Sequence, residues 1–101
     1  MVEDDISPPP PPGYGAAERH GPFLVENGPI FFKLGDGPVT EQCFFVRKRH
    51  ANSIGILHGG MIATFMDSVL AHTVFAAAEG QCVTVHLATD FLAMAKRAVW
   101  V

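Results

Sequence analysis

Asp67 is the residue on which any chemistry in this chain has to turn. Between Arg49 and Glu79 it is the only formally charged side chain, and Phe65, Met66, Val69 and Leu70 surround it in sequence. A carboxylate in so apolar a run needs a partner or a task. One reading puts it on a wet stripe of a helix with Ser68 and His72. The other puts it in a cleft as a base or nucleophile. The second group is His58-Gly59-Gly60. Two glycines admit close approach to the backbone, and at a helix start the amides are unpaired and carry the positive end of the dipole. Such a turn suits an oxyanion or a polarised carbonyl, although a Gly-Gly pair also serves as a plain tight entry into a helix. Other routes have little support. The histidines at 50, 58, 72 and 86 lack close ligand spacing, so no metal is expected. There is no Gly-x-Ser-x-Gly elbow. Cys43 and Cys82 have no basic neighbour and read as small buried hydrophobes, with no disulfide framework.

The elements that must position these residues follow from periodicity. Met61, Ile62, Phe65, Met66, Val69, Leu70 and Phe75 recur at helical steps, predicting a helix from Gly59-Gly60 to about Glu79, with Gly80 closing it. It is apolar nearly all round, as in a helix wrapped by protein. Upstream, Ile30–Leu34 reads as a strand, Gly35-Asp36-Gly37-Pro38 as a turn and Val39–Arg49 as a second strand, which together make a hairpin. Phe23-Leu24-Val25 reads as a short apolar piece. Downstream, Val83, Val85, Leu87 and Phe91 alternate with Thr84, His86, Ala88 and Asp90 as a third strand. Val99-Trp100-Val101 opens a fourth. An apolar strand end there suggests a fragment of a longer protein.

Composition bounds the rest. The chain has 101 residues, 49% of them hydrophobic and 17% charged, which allows one domain with a surplus of apolar surface for another subunit to cover. The net charge of −3 argues against nucleic acid as a partner. Residues 1–46 are acidic, and Arg47-Lys48-Arg49 follows as a basic cluster, either a solvated strand end or a seat for an anionic phosphate. No run of 18 apolar residues exists, so no membrane span is expected. The acidic N-terminus is unlike a signal or transit peptide, and a cytoplasmic location is expected. Residues 1–22, with prolines 8 to 12, read as a disordered Pro/Gly-rich tail, and residues 23–101 as the folded domain.

The stretch Asn52-Ser53-Ile54-Gly55-Ile56-Leu57-His58-Gly59-Gly60-Met61, with Asp67 behind it, resembles the PaaI-type branch of the hotdog-fold acyl-CoA thioesterases. Val83-Thr84-Val85-His86-Leu87 and Phe91-Leu92-Ala93-Met94-Ala95-Lys96 extend the resemblance across about residues 28–101. It implies an α+β hotdog fold, a long central helix wrapped by an antiparallel sheet, whose C-terminal strands are missing here. It also implies homodimers or homotetramers acting on acyl-CoA without a cofactor. The Gly59 amide would polarise the thioester carbonyl, and Asp67 of the facing subunit would be general base or nucleophile. Asn52 and His58 would orient water or thioester, Thr84 would position Asp67 or the water, and Gly60 and Ser68 would contact substrate. Where the family commonly has a glycine after Lys96, Arg97-Ala98 stand here. Two rival functions remain open: a hotdog enoyl-CoA hydratase or dehydratase using His58 and Asp67, and a non-catalytic domain for acyl-CoA binding or assembly.

Overall fold

The computed structural model describes residues 6–16, 21–36, 41–78 and 80–101. Three short strands make an antiparallel sheet in the order β1 (Tyr14–Ala16), β2 (Phe31–Lys33), β3 (Gln42–Cys43). The expected hairpin is β2–β3, with Phe31 opposite Cys43 and Phe32 opposite Gln42. The far end of its turn, Gly37-Pro38, and the start of the second strand lie outside the described residues. That strand is shorter than expected. It gives way after Cys43 to a bridge at Phe45 and a 3₁₀ turn over Lys48–His50. The expected fourth strand is reduced to an isolated bridge between Phe45 and Trp100, flanked by backbone hydrogen bonds exchanged by Phe44 and Val101 and one from Val46 to the Val99 carbonyl.

Two elements depart from the sequence expectation. Tyr14–Ala16, inside the segment expected to be a disordered tail, pairs with β2, so Tyr14 faces Lys33. Glu41 holds this edge by accepting from the Tyr14 hydroxyl and the Lys33 ammonium, each at 2.8 Å. Those two bonds hold its carboxyl below the usual carboxylate range. Phe23-Leu24-Val25 belongs to a helix, α1 (Pro22–Asn27). Pro22 opens it, where a missing N–H costs nothing, and the Gly28 amide closes it onto the Leu24 carbonyl.

The core is small: Ile30, Phe44 and Val46 are sealed, with Leu57 and Met61 beside them. The long helix, α2 (Gly59–Ala78), covers this core with one stripe. Met61, Ile62 and Phe65 pack inward, Phe65 stacks on Phe44 with ring centres 4.8 Å apart, and His72 meets Phe32 at 4.6 Å. The predicted end at Glu79 lies outside the described residues. The sheet does not wrap the helix. Leu70, Val74 and Phe75 stay about half exposed. By length and composition α2 is apolar enough to cross a membrane. Counting uninterrupted apolar residues misses this because Thr64, Asp67, Ser68 and His72 break the run.

The stretch expected as the third strand makes no sheet hydrogen bonds among the described residues. It runs back along α2 instead. The Cys82 thiol donates to the Ala71 carbonyl at 3.6 Å, Thr84 reaches Asp67, and Thr89 donates to the Met66 sulfur at 3.4 Å. Phe91 arrives at Gly59. With the polar alternate at 84 turned to the helix, Val83 and Val85 point outward, 86% and 94% exposed. Cys82 is exposed, contrary to the reading of both cysteines as buried. Cys43 is buried, which pushes its thiol pKa up.

The departure at Arg97-Ala98 has a local cost. Ala98 sits at φ +62°, the left-handed region where an L side chain crowds its own backbone. Ala98→Gly should raise stability by about 0.5–1 kcal/mol, the relief of strain exceeding the added chain entropy of glycine. Chemical denaturation of the two proteins checks this, and a variant less stable than the parent would refute it.

Candidate functional site

The loop between the 3₁₀ turn and α2 is organised by Asn52. Its side-chain oxygen accepts from the amides of Ile54 and Ile56 at 3.1 and 3.2 Å, and its backbone N–H donates to the Ile56 carbonyl. Asn52 therefore shapes the loop through an Asx-type turn, while its amide group also lines a cleft described below. Ala51 then bridges to Leu57. This delivers the chain to His58, whose N–H donates to the His50 carbonyl at 2.8 Å.

His58 caps α2. Its carbonyl accepts from Met61 and Ile62, and its Nδ1 accepts from the Gly60 amide at 2.7 Å. A neutral ring accepting at Nδ1 carries its proton on Nε2. Of the first four amides of the helix, those of 60, 61 and 62 are thus engaged. The Gly59 amide has no hydrogen-bond acceptor among the described residues, which leaves it as the open donor at the positive end of the dipole. The two glycines do different work. A Cβ on Gly60 would lie 2.8 Å from His58 Nδ1, so the missing side chain makes room for the capping ring. A Cβ on Gly59 would lie 3.4 Å from the Phe91 ring, which roofs the open amide.

Gly59 opens onto a cleft of about 440 Å³, lined also by Asn52, Leu57, Ile62, Phe91 and Met94. It is mostly apolar, with an amide donor and a carboxamide set in it. A second cleft of about 280 Å³ is lined by Arg49, His50, His58, Gly60 and Thr64.

Asp67 is held from one side. Thr84 donates its hydroxyl proton to Asp67 Oδ1 at 2.5 Å. Asp67 Oδ2 makes no hydrogen bond among the described residues. Ser68, expected to contact substrate, donates to the Thr64 carbonyl at 2.9 Å, so its hydroxyl proton serves the helix backbone. Asp67 and Gly59 are not brought together. Eight residues of helix separate them by about 12 Å along the axis. One thioester cannot meet both groups of a single chain.

The basic cluster divides. Arg47 is buried and its guanidinium donates to the Gly28 carbonyl, so it is neither solvated nor a phosphate seat. Lys48 and Arg49 are exposed, and Arg49 reaches the Glu26 carbonyl at 3.2 Å. Sequence reasoning missed His50 and Phe91. The signal for His50 was faint, a histidine beside three basic residues. For Phe91 it was an aromatic at the end of an alternating run. Among the described residues no cluster of metal-ligating side chains occurs.

Gly60→Ala tests the capping geometry. The added methyl must expel the His58 ring from the Gly60 amide, a loss of about 0.5–1.5 kcal/mol that the better helix propensity of alanine offsets by about 1 kcal/mol. Stability should stay within about 1 kcal/mol of the parent, while the His58 Nδ1 nitrogen resonance loses its hydrogen-bonded shift. An unchanged resonance would refute the cap.

No curated protein sequence matches the chain. Residues 54–101 match the family model of the thioesterase superfamily, a span that takes in Gly59, Gly60, Asp67, Ser68 and Thr84 and leaves Asn52 outside. Over that span, just under half the chain, the sequence is similar to a thioesterase domain, and the long helix against an antiparallel sheet is consistent with the hotdog arrangement the family implies.

Proposed function

We propose that this protein hydrolyses acyl-CoA thioesters to the free acid and coenzyme A, in sites shared between two copies of the chain. The observation that carries the reading is the division of labour along α2: an open amide donor at its start and a half-tethered carboxylate two turns on, too far apart to serve one substrate within one chain. Two helices packed antiparallel about a two-fold axis bring the start of one beside Asp67 of the other. The half-exposed Leu70, Val74 and Phe75 and the outward Val83 and Val85 supply apolar surface for that contact.

The chemistry needs little. The thioester carbonyl oxygen lies on the Gly59 amide, where the helix dipole favours the charge that develops during attack. Asp67 from the facing copy takes a proton from water, its Oδ1 fixed by Thr84 and its Oδ2 directed at the nucleophile. The hydroxide adds to the carbonyl carbon, the tetrahedral intermediate collapses, the carbon–sulfur bond breaks, and the thiolate leaves and is protonated. His58 lines the neighbouring cleft, and with Nδ1 engaged its proton on Nε2 makes it a donor there. Because its Nδ1 lone pair is occupied by Gly60, the ring is poorly set to act as a base, which favours hydrolysis over hydration of an enoyl thioester. The apolar cleft at Gly59 suits the acyl part, and the finer assignment to the PaaI-type branch rests on the motif around His58-Gly59-Gly60.

Asp67→Asn should lower kcat roughly 100- to 10,000-fold with the fold intact. Gly59→Pro removes the donor at a helix position that tolerates proline, and should lower kcat roughly 100- to 1000-fold. Steady-state hydrolysis of a panel of acyl-CoA thioesters reads both, with circular dichroism as the check on folding. Near-normal kcat in either folded variant removes that group from its role. Refolding the two inactive variants together in equal amounts tests the shared site. Half the dimers are then mixed, each with one intact site, so activity should recover to about a quarter of the parent. No recovery from dimers shown to exchange subunits would refute it.

A further inference from the structure

We propose that His50 is a positioning residue for the site, setting the His58–Gly59 turn by closing the 3₁₀ turn with its Nδ1; this rests on the hydrolytic reading above. The imidazole is buried, 3% exposed, with its edge against Phe44 at a ring separation of 5.4 Å. Both ring nitrogens are engaged. Nδ1 accepts from the Arg47 amide at 3.1 Å, and Nε2 lies 2.6 Å from the Asn27 carbonyl. A backbone amide can only donate and a carbonyl can only accept, so the ring is the neutral form with its proton on Nε2. Burial favours that form, and Arg47 and Arg49 add to it, against the pull of the Asn27 and Phe45 backbone.

The backbone of the same residue carries the effect onward. The Nδ1 bond closes the 3₁₀ turn together with the bond from the His50 amide to the Arg47 carbonyl. With the turn closed, the His50 carbonyl is aimed at the His58 amide, and His58 in turn holds the Gly60 amide with its ring. Four hydrogen bonds thus run from the 3₁₀ turn to the first turn of α2. They fix the direction of the Gly59 N–H, and a donor displaced by about an ångström can forfeit on the order of 100-fold in rate.

The two ring bonds are separable. His50→Gln places a donor near the Nε2 position and gives up the acceptor that closes the turn. His50→Asn places an acceptor at the Nδ1 position and gives up the reach to Asn27. Each variant loses one bond, so both should melt at a lower temperature than the parent. The turn matters only to His58, so kcat for acyl-CoA hydrolysis should fall roughly 10- to 100-fold in His50→Gln, with KM changed by less than about threefold. In His50→Asn most of the parent kcat should return. Hydrogen exchange at the His58 and Gly60 amides should be faster in His50→Gln and near the parent rate in His50→Asn. A kcat that follows the melting temperature in both variants, or stays at the parent value in His50→Gln, overturns the proposal. If the parent cleaves no thioester, the hydrolytic reading fails by itself. The exchange rates then decide the positioning role: faster exchange confined to His50→Gln upholds it, and equal rates in both variants overturn it.

Discussion

The constraint on which the rest depends is the anchoring of the first turn of α2. A helix start has amides with no intrahelical partner, and they must find acceptors or face water. Here the His58 carbonyl and ring take those of Gly60, Met61 and Ile62, and the His50 carbonyl holds His58 itself. Everything upstream serves that hold. The 3₁₀ turn aims the carbonyl, Arg47 and His50 tie the turn to the end of α1, and Asn52 folds the intervening loop so that Leu57 reaches the core. Saturating three amides leaves the fourth conspicuous. The role proposed for Gly59 is what remains of an otherwise complete capping scheme.

Much of this was legible in the sequence because the signals were local. A lone aspartate in an apolar run, a histidine before two glycines and helical spacing from Met61 to Phe75 each announce themselves within a few residues, and the hairpin is punctuated by glycine and proline. What was not legible depended on partners distant in the chain. Tyr14–Ala16 forms a strand because Phe31–Lys33 offers an edge, and nothing in a proline-rich segment announces such a partner. Pro22–Asn27 is too short for periodicity to register as helix. Arg47 looked like one of three solvated bases until its guanidinium met a carbonyl 19 residues away. The split of roles between Gly59 and Gly60 needed three-dimensional distances to a ring on each side.

The alternation at Val83–Phe91 shows why a correct pattern can still mislead. Period-two spacing identifies two faces but says nothing about which face finds cover. In the chain by itself the polar face wins the contact, because Thr84 satisfies a carboxylate and the valines have no counterpart to pack against.

The bare valines at 83 and 85 also have a kinetic meaning. An extended segment with unpaired backbone groups and apolar side chains in water is a reactive surface during synthesis and refolding. Protection by another chain, which the proposed shared site requires, is a second-order event, so on that proposal the time spent uncovered shortens as concentration rises and lengthens as the protein is diluted. The same dependence applies to every competitor for that edge. On the shared-site proposal, correct pairing and misassembly draw on one pool of exposed chains, and their ratio is set by relative encounter rates and the geometry of the edge, with little say from the stability of the small core.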